Sequence, residues 1–243
     1  MKAIGIIPAR YGSSRLPGKP LKDICGKPMI QHVYERACMS ELIKRVIVAT
    51  DDMRIVDAVL GFGGEAVLTS SSHVSGSDRI AEVARNIDCE IVVNIQGDEP
   101  LIQPQIIDEI TRELAMNPEV VMATGCYQIL DQEMYNNTDV VKVVLDRNND
   151  ALYFSRSLIP YPRNKGTFAA YEHLGIYVYT KEFLMKYITL DNSPLCETES
   201  LEQLKVLENG YKLRVVKTKY DYNGISVDTQ EDLDRVREIL TEG

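Results

Sequence analysis

Two short runs hold most of the residues able to do chemistry. The first is Pro8-Ala9-Arg10-Tyr11-Gly12-Ser13-Ser14-Arg15-Leu16-Pro17-Gly18-Lys19-Pro20-Leu21. It places glycines, hydroxyls, two arginines and a lysine in one connection. That set suits a polyphosphate, because small residues let backbone N–H groups approach the oxygens while the cations offset their charge. It is not a Walker A loop: five residues, not four, separate Gly12 from Gly18, and Pro20 stands where Ser or Thr belongs. The second run is Gln96-Gly97-Asp98-Glu99-Pro100, directly after the apolar residues 91–95. A carboxylate just past a buried strand is placed to hold Mg²⁺ beside substrate phosphates. Asp98 is the better candidate, with Glu99 facing away or capping the turn. Taken alone, Gly-Asp is an ordinary turn pair; the basic loop favours the metal.

A third run, Gly224-Ile225-Ser226-Val227-Asp228-Thr229, puts Asp228 just before a helix start. Asp228 either helps to cap that helix or is a second metal carboxylate. A scattered set completes the candidates: Arg156, His173, Tyr177, Glu202 and Gln203. His173 and Tyr177 are four apart in a strand-like run and so share a face. On residue type alone each of these five is more often a structural residue than a ligand. Other patterns fail. Gly61 to Ala66 has dinucleotide-fingerprint spacing but follows a helix and precedes a strand, the reverse of the required context. His32, His73 and His173 form no His-x-x-x-His pair, and Ser75 and Ser77 lack a nucleophile elbow.

The elements that must carry these residues alternate in type. Strands are predicted over residues 3–7, 45–49, 65–68 and 91–95, and helices over 29–38, from Asp52, over 77–86 and over 104–116. In the second half, residues 120–126, 140–145, 151–154 and 174–179 read as strands, and 198–208 and 229–240 as helices. Thr229 and Asp232 form a helix-start pair. Residues 163–171 read as a flexible loop. The βαβα order predicts a mostly parallel sheet flanked by helices, with ligands beyond the carboxyl ends of its strands. All three runs lie at such ends or just before a helix.

Bulk properties set limits. The 243 residues fit a single domain, and 44% hydrophobic content allows a substantial core. A net charge of −9 argues against nucleic acid as a partner. The positive charge is local: Arg10, Arg15, Lys19, Lys22 and Lys27 face only Asp23. Five widely spaced cysteines predict neither a zinc site nor a disulfide framework. No signal peptide or membrane insertion is predicted, so the expectation is a cytoplasmic protein.

The opening signature, residues 7–21, resembles that of the 3-deoxy-manno-octulosonate cytidylyltransferases, also called CMP-Kdo synthetases. The likeness recurs at residues 48–52, 94–100, 141–146, 151–159, 173–177, 200–204 and 227–229, almost the whole chain. The signature alone fits a wider group that includes sialic-acid activating enzymes; Ala-Leu-Tyr-Phe-Ser-Arg and His-Leu-Gly-Ile-Tyr narrow it. The resemblance implies a Rossmann-like nucleotidyltransferase fold with a small dimerisation and sugar-binding subregion. It implies CTP, a sugar acid (Kdo), Mg²⁺ and a homodimer. It implies that Ala9, Arg10, Gly12, Arg15 and Lys19 bind the triphosphate, and that Thr69, Ser75, Arg79 and Gln96 frame the cytidine. Arg10, Lys19, Asp98 and Asp228 would be catalytic, the last two through the metal. Arg156, His173, Tyr177, Glu202 and Gln203 would bind the sugar acid. Another acceptor sugar and a non-catalytic nucleotide sensor remain rival readings.

Overall fold

The computed structural model describes residues 2–13, 15–164, 168–222 and 224–242. Strand β1 (Ala3–Ala9) is buried along nearly its whole length. A single 3₁₀ turn (Lys19–Leu21) and the two-residue strands β2 (Asp23–Ile24) and β3 (Lys27–Pro28) lead into α1 (Met29–Cys38). Then come β4 (Ile43–Thr50), α2 (Met53–Gly61), β5 (Ala66–Leu68), α3 (Gly76–Arg85), β6 (Ile91–Asn94), α4 (Pro104–Met116) and β7 (Met122–Gln128). The second half adds β8 (Lys142–Leu145), β9 (Ala151–Ser155), β10 (Tyr171–Thr180), α5 (Lys181–Tyr187), α6 (Pro194–Glu199), α7 (Leu204–Glu208), β11 (Arg214–Lys217) and α8 (Gln230–Glu242).

The main sheet runs β11-β7-β10-β6-β1-β4-β5. One side of it is parallel throughout: β6, β1, β4 and β5 pair in turn, with one register shift between Ala3 and Gly5 of β1. Strand β10 enters antiparallel between β6 and β7, so the sheet is mixed but mostly parallel. Strand β6 is buried on both faces, which explains why it is apolar at every position but Asn94. Helices α1, α2 and α4 cover one face through Ile30, Val33, Ile55, Val59 and Ile106. Helices α3 and α5 cover the other through Ile80, Ala84, Phe183 and Leu184. A separate small core joins Leu16, Ile24, Met29 and Leu101 to Val227, Leu233 and Val236, and so docks α8 against the segment after β1. The β8–β9 hairpin hangs off β10 beside the main path.

Three sequence expectations change. The predicted helix over 198–208 is two short helices, because Ser200 adopts φ 53° and ends α6; Leu204 then starts α7. Residues Lys165 to Thr167 of the expected loop lie outside the described residues, and by Ala170 the chain is already buried. Helix α3 starts one residue early, at Gly76, because Ser75 and Asp78 form a capping box. The expected cap of α2 is present: the Asp52 carboxylate accepts from the Arg54 N–H at 2.9 Å.

Candidate active site

The basic run folds into a closed loop at the carboxyl end of β1. The Tyr11 carbonyl accepts from the N–H groups of Ser13 (3.1 Å) and Gly18 (3.2 Å). Gly18 has φ 67°, which favours glycine, and a Cβ there would sit 3.2 Å from the Tyr11 ring, which would have to give way. This closure sets Lys19 at the start of its 3₁₀ turn, with the side chain aimed back across the strand ends.

Two carboxylates meet that ammonium. Lys19 Nζ donates to Asp98 Oδ2 at 2.8 Å and to Asp228 Oδ1 at 3.0 Å. Asp98 comes close because Gly97 passes against β1, where a Cβ would lie 2.8 Å from the Pro8 carbonyl. Asp228 Oδ2 also pairs with Arg15 at 3.0 Å. The helix cap that competed for Asp228 is supplied by another residue. The Asp232 carboxylate accepts from the N–H groups of Asp228 (3.1 Å) and Thr229 (2.9 Å), and Thr229 Oγ1 accepts from the Asp232 N–H (3.2 Å). The Asp228 carboxylate is therefore turned to the cations. Burial works against the Lys19 charge, but Asp98 and Asp228 outweigh it and hold its pKa above the ordinary lysine value.

Asp98 and Glu99 are neighbours in opposite surroundings. Glu99 turns away into the apolar space between Ile95, Ile102, Leu174 and Ile176, where the Tyr222 hydroxyl donates to it. Burial pushes its carboxyl up to about 7, although the Tyr222 bond works the other way.

The loop, Gln96, Asp98 and Asp228 line a cleft of about 370 Å³ that also includes Ala9, Arg10, Gly12, Arg15 and Gly76. Arg10 Nη2 reaches the His73 carbonyl at 3.1 Å and ties the segment before α3 to the loop. Among the described residues no three acidic or thiol/imidazole groups cluster as a ready-made metal cage. Two carboxylates at a phosphate-sized cleft fit an ion that takes its other ligands from phosphates and water.

A second cleft of about 240 Å³ abuts the first and shares Gly76 and Gln96 with it. The Tyr177 hydroxyl donates to Gln203 Oε1 at 3.2 Å. Glu202 Oε2 accepts from Ser77 Oγ and from the Tyr187 hydroxyl, each at 3.3 Å. The break between α6 and α7 is what presents Glu202 and Gln203 here. Asn94, Tyr179, Tyr187 and Ser77 also line this cleft, and sequence reasoning missed them. Asn94 left a trace as a polar residue inside an apolar run. Tyr187 left none, since an aromatic at helical spacing reads as core.

Five expected residues lie outside both linings. Arg79 is fully buried: Nη2 donates to Asp51 Oδ2 at 2.8 Å and Nη1 to Thr69 Oγ1, which in turn donates to the Thr50 carbonyl at 3.0 Å. This group ties the ends of β4 and β5 to α3, and the Arg79 Nε is buried without a partner. Ser75 commits its hydroxyl to the capping box with Asp78. Arg156 donates from Nε to the Glu199 carbonyl (2.9 Å) and from Nη1 to that of Thr138 (3.0 Å). The His173 ring packs edge-on to Phe154 at 5.0 Å and stands behind Tyr177 at 5.4 Å. Its Nε2 lies 3.0 Å from Thr124 Oγ1, and burial pushes the imidazole down to about 3, so it stays neutral at pH 7.

Comparison with known proteins shows the family. Residues 4–217 match the family described as Cytidylyltransferase. The chain is 51% identical to the 3-deoxy-manno-octulosonate cytidylyltransferase of Syntrophus aciditrophicus (strain SB), over 98% of this chain and 97% of that one. It is 48% identical to the enzyme of the same name from Geobacter metallireducens (strain ATCC 53774 / DSM 7210 / GS-15), over 99% and 98%. A solved structure of a CMP:2-keto-3-deoxy-manno-octonic acid synthetase complexed with CTP superposes with a TM-score of 0.95 at 44% identity, covering 100% of this chain and 99% of the other.

Proposed function

Because the chain belongs to the cytidylyltransferase family, we propose that it transfers CMP from CTP to the anomeric hydroxyl of 3-deoxy-manno-octulosonate, releasing pyrophosphate. The observation that carries this reading is the pair of abutting clefts sharing Gly76 and Gln96. One is cationic and glycine-lined, as a triphosphate requires. The other is lined by hydroxyls, amides and a carboxylate, as a polyhydroxy acid requires.

In this reading the loop of Ala9, Arg10, Gly12, Arg15 and Lys19 binds the triphosphate. Lys19 and Arg10 stabilise charge as it grows on the phosphoryl oxygens and the leaving group, a role for pre-placed cations rather than covalent chemistry. Asp98 and Asp228 would hold Mg²⁺, which would supply Lewis-acid chemistry at the phosphates. Thr69, Arg79 and Ser75 frame the base by fixing the ends of β4, β5 and the start of α3. Tyr177, Glu202 and Gln203 read sugar hydroxyls, and His173 orients Tyr177. Arg156 has guanidinium N–H donors beyond those held by Glu199 and Thr138, and they suit the sugar carboxylate.

The reading extends to a cytoplasmic homodimer built from one domain per chain. Exposed Cys25 and Cys38 suit a reducing compartment, and no described helix is long and apolar enough to cross a membrane. Leu130, Leu152 and Tyr161, between β7 and β10, are large exposed apolar residues available to a second copy. Pyrophosphate release decides the main point. Release is expected only with CTP, Mg²⁺ and 3-deoxy-manno-octulosonate together; release with another sugar acid but not this one sinks the acceptor assignment.

A further inference from the structure

Asp228 is presented by a segment with no regular secondary structure. Residues 218–222 leave β11, the edge strand of the sheet, and residues 224–229 bring Asp228 opposite Asp98 at the end of β6, on the far side of β7 and β10. Such a segment loses much conformational freedom on ordering and needs specific anchors. On its far side the anchor is the α8 cap at Asp232. On its near side five contacts hold it. Thr218 Oγ1 donates to Glu109 Oε2 on α4 at 2.8 Å. Gln103 Nε2 donates to the Asp221 carbonyl at 2.6 Å. The Tyr222 hydroxyl donates to Glu99 Oε2, and the Tyr222 ring packs on Tyr127 at 5.5 Å. Finally, the Val227 N–H donates to the Asp98 carbonyl at 2.9 Å, so the two carboxylate-bearing backbones are joined directly.

Gln103 and Glu99 sit on the same turn that carries Asp98, between β6 and α4. The crossing segment is therefore registered on the very turn whose carboxylate it must meet. We propose that Tyr222 and Gln103 are positioning residues that latch the Asp228 segment onto the Asp98 turn and so set the spacing of the two carboxylates. Neither side chain lines the nucleotide cleft, and neither touches a phosphate site. They act through backbone placement, as partners outside the first ligand sphere commonly do. The inference rests on the proposed nucleotide cleft but not on the identity of the sugar.

The test is a titration of the full-length protein with Mn²⁺ in the presence of CTP and without any sugar, read by electron paramagnetic resonance. Turnover is then measured in Mg²⁺. Tyr222→Phe is expected to weaken Mn²⁺ binding about tenfold, the low end of the range for outer-sphere partners. Gln103→Ala is expected to weaken it about threefold, as loss of one neutral hydrogen bond does. In both variants kcat falls while the KM for the sugar acid stays within twofold of the parent. Unchanged Mn²⁺ affinity in a folded Tyr222→Phe protein overturns the latch, as does a loss confined to the sugar KM. Should Tyr222→Phe not fold, judged by its thermal transition, Gln103→Ala decides alone, and unchanged affinity there overturns the proposal. A parent protein that binds no Mn²⁺ with CTP removes the nucleotide cleft and the latch with it; failure with the sugar alone leaves the latch standing.

Discussion

The two clefts touch at Gly76 and Gln96 yet are built in opposite ways. The first takes Ala9, Arg10, Gly12, Arg15 and Lys19 from one connection and keeps its charges, with Lys19 held between Asp98 and Asp228. The second draws on β10, the first turn of α3 and the break between α6 and α7, and is lined by tyrosine and serine hydroxyls, side-chain amides and the single carboxylate of Glu202. Burial raises Tyr177 and Tyr187 far above their ordinary values and lowers His173 behind them. The difference is chemical as well as topological. Charge matched to charge stabilises a developing anion, whereas neutral hydrogen-bonding groups discriminate among hydroxyls by leaving a partner unpaired when the wrong sugar enters.

Removing the central cation tests the first half of that contrast most severely. Lys19→Ala is expected to lower kcat about 10³-fold in steady-state assays of pyrophosphate release, the scale on which single charge-stabilising groups act. It also leaves Asp98 and Asp228 facing each other without an ammonium between them. Turnover within tenfold of the parent means that the charged cleft is not where the rate is made.

The imidazole packed behind the second cleft has a thermodynamic signature of its own. The folded-state pKa of His173, about 3, lies below the ordinary 6.5. The unfolded chain therefore binds more protons between those values, and stability present above pH 6.5 is lost as pH falls toward 3. Between pH 7 and pH 5 this amounts to about 2 kcal/mol. Denaturant midpoints of the parent and His173→Gln at the two pH values read it directly. A slope equal in both proteins shows that the imidazole is not held neutral.

Gln203→Ala sharpens the division of labour between the clefts. Its partner, the Tyr177 hydroxyl, loses an acceptor, and the KM for the sugar acid is expected to rise about tenfold with that for CTP unchanged, in line with one lost hydrogen bond. Equal rises in both constants erase the boundary. The smallest effect belongs to Ser75→Ala, which removes the α3 cap and is expected to cost about 1 kcal/mol in a thermal or denaturant melt. A normal melt with a large rise in the CTP KM reassigns that hydroxyl from the helix to the base.

How much of this was legible beforehand follows the same division. The loop after β1 announced itself because its glycines and cations are contiguous and their types have few other uses. Asp98 was readable for a related reason, since a carboxylate at the end of an apolar strand has to face a strand end. Asp228 was ambiguous between capping and ligation, because the spacing to Thr229 serves both; only the Asp232 contacts separate them. Glu202 and Gln203 were named, but the predicted continuous helix gave them no reason to face anywhere in particular. Ser200 at φ 53° supplies the reason, and nothing about Ser announces a left-handed conformation. Tyr187 and Ser77 stayed hidden because their sequence context is that of ordinary helix residues.

By itself the sequence determined the alternating architecture, the buried central strand, the cationic glycine-containing loop and the carboxylate that follows the central strand. Each of these depends on local periodicity or on residues adjacent in the chain, which short-range sterics and burial already specify. The tertiary structure alone decided the rest: that Lys19 bridges residues 98 and 228, that Asp98 faces the cleft while Glu99 turns away to Tyr222, and that β10 enters antiparallel. Those outcomes depend on which surfaces meet across the sheet, and no window of neighbouring residues contains both partners of such a contact.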